Sequence, residues 1–370
     1  MNRDIQRQLT VKTAVQVALV KGRAGVYTSI RHYAKMWDSA GVLNACVYHG
    51  PDAGQLRAAD IDIIDAPRAM RWIVFAYSPA FRQLKQKILR ALDGVEPEFV
   101  LAHTDRTIGV MRVMFPRAVI AARCHSDNFK HKQLADLVLT LNPDQQQRAS
   151  RTLQAKSNRV VLAGHPFSAT SETKPDVRDG PPRVNFVGRF VSEKRPDTFM
   201  RAMQALQTRP APLIRMIGDG PMRGEMEKAA AAAGLDVDFP GWRTRPLDDF
   251  GHNDVLVVSS SWEGLSWLLL EAQSLAVPVI ASAIPANLYA LNGGMYGDVF
   301  PVEQPEVLAE KVDTALADLT ELRAKARLGR ATLEDRFGAS AFWDRILDSI
   351  HMVRGSRKEL RHVLPESILS

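Results

Sequence analysis

Glu263 and Glu271 lie eight residues apart in Ser259-Ser260-Ser261-Trp262-Glu263-Gly264-Leu265-Ser266 and the apolar segment after it. A carboxylate accepts hydrogen bonds well from vicinal hydroxyls such as those of a sugar or a ribose. If Glu263 sits just before a helix and Glu271 about two turns inside it, both face one ligand. The amides of Gly264, Leu265 and Ser266 then point at that ligand from the positive end of the helix. Such a site suits a diphosphate with a sugar on one side and a ribose on the other. Taken alone, the same pair also fits a helix cap and a solvated helix residue.

Two further segments carry compatible chemistry. Val187-Gly188-Arg189-Phe190-Val191-Ser192-Glu193-Lys194 runs from an apolar strand into a loop with two cations. A pyrophosphate leaving group needs fixed positive charge, which Arg189 offers as a rigid fork and Lys194 as a point charge. Ile217-Gly218-Asp219-Gly220-Pro221 closes another apolar run with a glycine turn. Ligands of open α/β sheets bind outside the carboxyl ends of strands, where such a turn admits a nucleotide. An ordinary strand-to-helix turn is the alternative.

The elements that must position these residues alternate short apolar runs with amphipathic stretches, which predicts parallel α/β sheets. In the first half the runs are Val15–Val20, Leu43–Tyr48, Phe99–Ala102, Val119–Arg123, Leu137–Leu141 and Val160–Ala163, with a helix over Thr28–Ser39 closed by Gly41. Pro166–Pro182 has a linker composition. In the second half, strands are predicted over Val184–Val187, Leu213–Ile217, Val255–Val258 and Val279–Ala281. Helices are predicted over Pro196–Leu206, Met222–Ala233 and Leu265–Leu275. The expected domains are residues 1–165 and 183–337, joined by the linker 166–182, with a final helix over about 338–370 returning to the first domain. Phe342, Ile346 and Ile350 give that helix its apolar spacing.

The composition fits an ordinary protein of two such domains: 370 residues, 46% hydrophobic and 24% charged. The net charge of +7 is uneven. Residues 1–165 hold 24 Lys and Arg against 13 Asp and Glu, whereas the remainder holds 24 against 28. A basic first half implies an anionic partner. No finger, basic zipper or aromatic-basic strand signature points to nucleic acid. No run approaches the ~20 apolar residues of a membrane span, and Ala14–Val20 is too short for a signal-peptide core, so a cytoplasmic location is expected. Cys46 and Cys124 form no metal-ligand pattern. Asp60-Ile61-Asp62, read as strand, and Asp236-Val237-Asp238 have the Asp-x-Asp form of a metal-binding pair.

The motifs VGRFVSEKRPD (Val187–Asp197), IGDGPMR (Ile217–Arg223), FPGW (Phe239–Trp242) and SSSWEGLSWLLLEAQSLAVPVIAS (Ser259–Ser282) resemble, in order and spacing, family 4 of the retaining GT-B glycosyltransferases, the glycosyl transferases group 1. The resemblance implies two Rossmann-like domains with parallel sheets facing across a cleft. It implies a sugar transferred from a nucleotide-diphosphate sugar (UDP- or GDP-linked) to a hydroxyl of a glycan or lipid-linked acceptor, as in cell-envelope polysaccharide or lipopolysaccharide synthesis. No bound cofactor and no metal are expected, cationic side chains and a helix N-terminus taking the metal's place. By the same resemblance Arg189 and Lys194 neutralise the diphosphate, Glu263 binds sugar hydroxyls and Glu271 the ribose. Gly188, Gly218, Gly264, Leu265 and Ser266 line the nucleotide sugar. Ala24-Gly25-Val26 resembles the family's glycine loop, with Gly25 admitting the diphosphate and acceptor. His125 matches the histidine beside the donor sugar, and His103 stands at a second strand end. The chain departs from the family pattern at Ala276, where glycine is common, and over Ala283–Tyr289, which lacks the paired glycines followed by Glu.

In Phe81–Leu92, the residues Phe81, Leu84, Ile88 and Leu92 share a helical face, with Arg82, Lys85, Lys87 and Arg90 outside it. This reads either as a helix packed on the sheet or as a peripheral contact with an anionic membrane at the inner face. An epimerase or phosphorylase of the same fold is opposed by the Arg189, Lys194, Glu263, Glu271 spacing. A non-catalytic nucleotide-binding scaffold is the alternative to an enzyme.

Overall fold

The computed structural model describes residues 11–20, 25–154, 159–167, 182–251 and 253–363. Most of the loop expected over Lys21–Val26, including Ala24, and most of the linker over Pro166–Pro182 lie outside the described residues. The chain divides into two compact units, Met1–Ser168 with Phe337–Ser370, and Ala169–Arg336.

The first unit is built on β1 (Thr13–Leu19), β2 (Leu43–His49), β3 (Ile63–Asp65), β4 (Phe99–Ala102), β5 (Val119–Arg123), β6 (Leu137–Thr140) and β7 (Val160–Leu162). They form one parallel sheet in the order β3-β2-β1-β4-β5-β6-β7. Between them run α1 (Val26–Ser39), α2 (Ala53–Arg57), α3 (Pro79–Ala91), α4 (Ile108–Met114) and α5 (Pro143–Leu153). Strands buried on both faces read as continuous apolar runs, and every residue of β4 and β5 is buried. Gly41 follows α1 with φ +69°, a left-handed exit that glycine adopts without strain.

The second unit repeats the plan with β8 (Arg183–Val187), β9 (Leu213–Ile217), β10 (Val237–Gly241), β11 (Asp254–Val258), β12 (Val279–Ser282) and β13 (Asp298–Phe300). Their parallel order is β10-β9-β8-β11-β12-β13. Its helices are α6 (Pro196–Ala205), α7 (Arg223–Ala232), α8 (Trp267–Ser274), α9 (Pro285–Ala290), α10 (Pro305–Ala317) and α11 (Thr320–Phe337). Both sheets thus have the doubly wound order in which the chain reverses direction beside the first strand, β1/β4 in one and β8/β11 in the other. The last helix, α12 (Ala339–Val363), belongs to the first unit: Phe342, Trp343, Ile346 and Ile350 pack in one cluster with Tyr33, Trp37, Leu101 and Leu139.

Several local expectations are corrected. Asp60-Ile61-Asp62 is not strand: Asp60 has φ +57° and the triplet leads into β3. Val237 and Asp238 lie in β10, an edge strand whose Pro240 and register shift explain its weak apolar pattern. The divergent Ala283–Tyr289 stretch is not a loop throughout: from Pro285 on it is helical, in α9 (Pro285–Ala290). The apolar face of α3 is occupied, since Leu84, Ile88 and Leu92 are buried with Val15 and Val100, leaving no apolar stripe for membrane insertion. Among the described residues no helix is long and apolar enough to cross a membrane.

Candidate functional site

The β8/β11 reversal of the second unit gathers the charged residues singled out above. The loop after β8 and the loop after β9 are zipped together by backbone bonds: Gly188 N to Ile217 O (2.9 Å), Phe190 N to Asp219 O (2.9 Å) and Met222 N to Phe190 O (3.0 Å). Gly218 has φ +140°, and a Cβ there would lie 1.8 Å from Gly188 O. This close approach by itself requires a glycine.

The loop after β8 then makes a tight turn over Ser192–Lys194 and enters α6 through Arg195 at φ +50°, with Pro196 opening the helix. Ser259, just past β11, fastens this turn: its hydroxyl donates to Lys194 O (3.0 Å) and Arg195 O (2.9 Å). Ser261 N donates to Glu193 O at 2.9 Å. The neighbouring loops are thereby held so that Lys194 Nζ meets Glu263 Oε1 at 2.5 Å. Ser260 Oγ donates to the same oxygen at 2.8 Å. Behind it, Ser282 Oγ donates to Ser260 O (2.5 Å), and Asn287 Nδ2 donates to Ser282 O (3.0 Å) and Oγ (3.1 Å). A chain of buried hydroxyls and one amide from α9 therefore sets the position of Glu263, whose side chain is 11% exposed beside a 25% exposed Lys194. Arg189 stands exposed in the same loop.

Helix α8 starts later than its sequence predicts. Ser266 is the N-cap, its hydroxyl accepting from Leu269 N, so Glu263, Gly264 and Leu265 precede the helix. Glu271 is partly buried little more than one turn inside, not two. At the other end Ala276 N bonds Gln273 O (3.0 Å) and Val277 N bonds Ala272 O (2.9 Å), a Schellman closure. Ala276 occupies the left-handed position of that closure at φ +50°, where glycine is the usual residue.

In the first unit the corresponding reversal lies between β1 and β4. Gly25 caps α1 in right-handed geometry (φ −59°), a conformation open to any residue. His103, just past β4, and His125, just past β5, are joined: His103 Nδ1 lies 2.9 Å from His125 Nε2, with the rings stacked. His103 Nε2 lies 3.2 Å from Oε1 of Gln16, a fully buried polar residue in the middle of β1. Burial, then the Arg123 charge, lowers the His103 pKa to about 3. His125 is held well below 6.5 by burial, then by His103, Arg123 and Lys132. Burial likewise pushes the thiols of Cys46 and Cys124 up to about 12, so both are unreactive.

Ser259, Ser260, Ser282, Asn287 and Gln16 were not among the sequence candidates. Gln16 carried a signal, a lone amide inside the apolar run of β1. The serines and Asn287 carried none, because Ser259 and Ser282 bond backbone carbonyls of loops distant in sequence and Ser260 and Asn287 acquire their place only through that chain.

Residues 168–331 match the family described as glycosyl transferases group 1. The lipopolysaccharide core biosynthesis glycosyltransferase of Rhizobium meliloti is 30% identical over 183 residues, 48% of this chain and 52% of that protein. The chain therefore spans about half the length of this curated relative. A glycosyltransferase structure from Rickettsia africae superposes with TM-score 0.75 at 17% identity over 93% of this chain and 99% of that one. Anabaena HepE in complex with UDP and glucose superposes with TM-score 0.72 at 15% identity over 92% and 99%. These structures share the GT-B fold with this chain. The second unit, which carries the glycine-zipped loops and the Lys194–Glu263 pair at the strand reversal, is the part of the chain that matches the glycosyl transferases group 1.

Proposed function

We propose that the protein is a retaining glycosyltransferase that moves a hexose-type sugar from a nucleotide-diphosphate sugar to a hydroxyl of a glycan or lipid-linked acceptor of the cell envelope. The observation that carries this reading is the Lys194–Glu263 pair at the β8/β11 reversal, with Arg189 in the same loop and Glu271 on the adjoining helix. Both bonds to Glu263 fall on Oε1, which leaves Oε2 to accept from sugar hydroxyls. Lys194 and Arg189 supply charge for the diphosphate, aided by the positive end of α8. Glu271 binds the ribose, and Gly264, Leu265 and Ser266 present amides to sugar and phosphate.

In the reaction the bond from the anomeric carbon to the diphosphate oxygen breaks and the acceptor oxygen bonds to that carbon on the same face. The hydroxyl proton passes to the departing phosphate oxygen. The nucleotide is uridine or guanosine diphosphate, and the Anabaena complex favours the former. The exposed cations of α3 offer an anionic membrane surface a peripheral contact. Incubation with UDP- and GDP-sugars and lipid or glycan acceptors tests the reading. Donor consumption that disappears in Glu263→Ala supports it; no consumption of any donor by the intact protein supports a nucleotide-binding scaffold instead.

A further inference from the structure

We infer that Gln16 and His103 are positioning residues that hold His125 in its Nε2–H tautomer, leaving Nδ1 as a hydrogen-bond acceptor for a substrate hydroxyl. The argument starts at α1. Gln16 Nε2 lies 3.2 Å from Ile30 O, and only the amide nitrogen can face a carbonyl at that distance. The orientation of the amide is therefore fixed, and Gln16 Oε1 is the atom presented to His103 Nε2. An amide oxygen only accepts, so His103 Nε2 carries the proton.

His103 is a neutral ring in this setting, buried with Arg123 nearby and the Tyr33 ring set edge-on to it. With its one proton on Nε2, its Nδ1 is a lone pair. The 2.9 Å contact to His125 then requires the proton on His125 Nε2. The charges facing His125 also oppose a second proton: Arg123 on β5, and Lys132, whose ammonium is held by Asp105 at 2.6 Å. His125 is neutral, its proton is committed to His103, and Nδ1 accepts. One buried carbonyl of α1 thus dictates, through two side chains, what a ring at the carboxyl edge of the sheet offers to a ligand.

That the hydroxyl is one of the transferred sugar or of its acceptor rests on the function proposed above; the tautomer does not. Long-range ¹H–¹⁵N correlation spectra of the full-length protein at pH 7, without substrate, read the tautomer directly. His125 and His103 are identified by the signals lost in His125→Gln and His103→Gln. Both rings are expected to show a protonated Nε2 and a bare Nδ1; a protonated Nδ1 on His125, or an imidazolium, overturns the inference. In Gln16→Leu the His125 signals should move toward a mixture of tautomers. Turnover kcat/KM should fall about tenfold, the loss of one oriented hydrogen bond. Nucleotide affinity should be unchanged, because Gln16 is in the other unit from the nucleotide site. Unaltered His125 signals in folded Gln16→Leu would remove Gln16 from the relay, whereas absent turnover in the intact protein with the expected spectra would reject only the transferase reading.

Discussion

The Lys194–Glu263 pair should behave as a coupled unit in a double-mutant cycle. At an effective dielectric near 20, unit charges 4 Å apart attract by about 4 kcal/mol. Desolvation of both groups offsets much of this, and Lys194, a quarter exposed, is further screened. A net coupling of about 1–2 kcal/mol remains. Glu263→Gln keeps the shape and the Ser260 contact but leaves the ammonium facing a neutral amide, which should cost about 1–3 kcal/mol. For a unit of this size each kcal/mol lowers the melting temperature by about 2–4 °C. Urea unfolding of the parent, Lys194→Met, Glu263→Gln and the double variant measures all four corners. The double variant should be more stable than the sum of the single losses predicts by about 1–2 kcal/mol. Additivity within about 0.5 kcal/mol would refute an energetic coupling between the two side chains.

Ala276 sits in left-handed geometry at a Schellman closure, a conformation that costs an L-residue about 1 kcal/mol or more, so Ala276→Gly should raise the melting temperature by a few degrees. Unchanged or lower stability would show that the closure is not strained. His103 and His32, both with pKa lowered to about 3 chiefly by burial, stay unprotonated in the folded chain while the unfolded chain takes up protons near pH 6.5. Stability should therefore be full above pH 6.5 and decline as pH falls through that value toward 3. Urea midpoints at several pH values should show a shallower decline in His103→Gln. Reversal of Arg82, Lys87 and Arg90, the exposed cations of α3, to Glu should abolish sedimentation with anionic vesicles; unchanged binding would remove the membrane contact from the account.

The doubly wound plan was readable because β4, β5, β8 and β11 are buried parallel strands, whose sequences read as short, mostly apolar runs. The short edge strands β3 and β10 were not. β3 has three residues and β10 contains a proline, and neither buries a full face. The candidate site was legible in its residue types, since Arg189 and Lys194 lie in one motif and Glu263 and Glu271 in another. Its wiring was not. Lys194 and Glu263 are 69 residues apart, and only the β8/β11 crossover brings them into contact. The Ala283–Tyr289 stretch departs from the family pattern, yet through α9 it supplies Asn287 to the chain that ends on Glu263. Gly218 and Gly25 teach opposite lessons: the first is required by a neighbouring carbonyl, and the second adopts a conformation any residue permits.

The central claim, that the β8/β11 reversal binds a nucleoside diphosphate through Arg189 and Lys194, is tested most directly by thermal unfolding with UDP, GDP and ADP in turn. A nucleotide at ~100 times its dissociation constant adds about 2.7 kcal/mol of stability. The account predicts a clear rise with UDP or GDP that disappears in Arg189→Ala/Lys194→Ala. No rise with any nucleotide, from folded protein, or a rise that survives in the double variant, would contradict it.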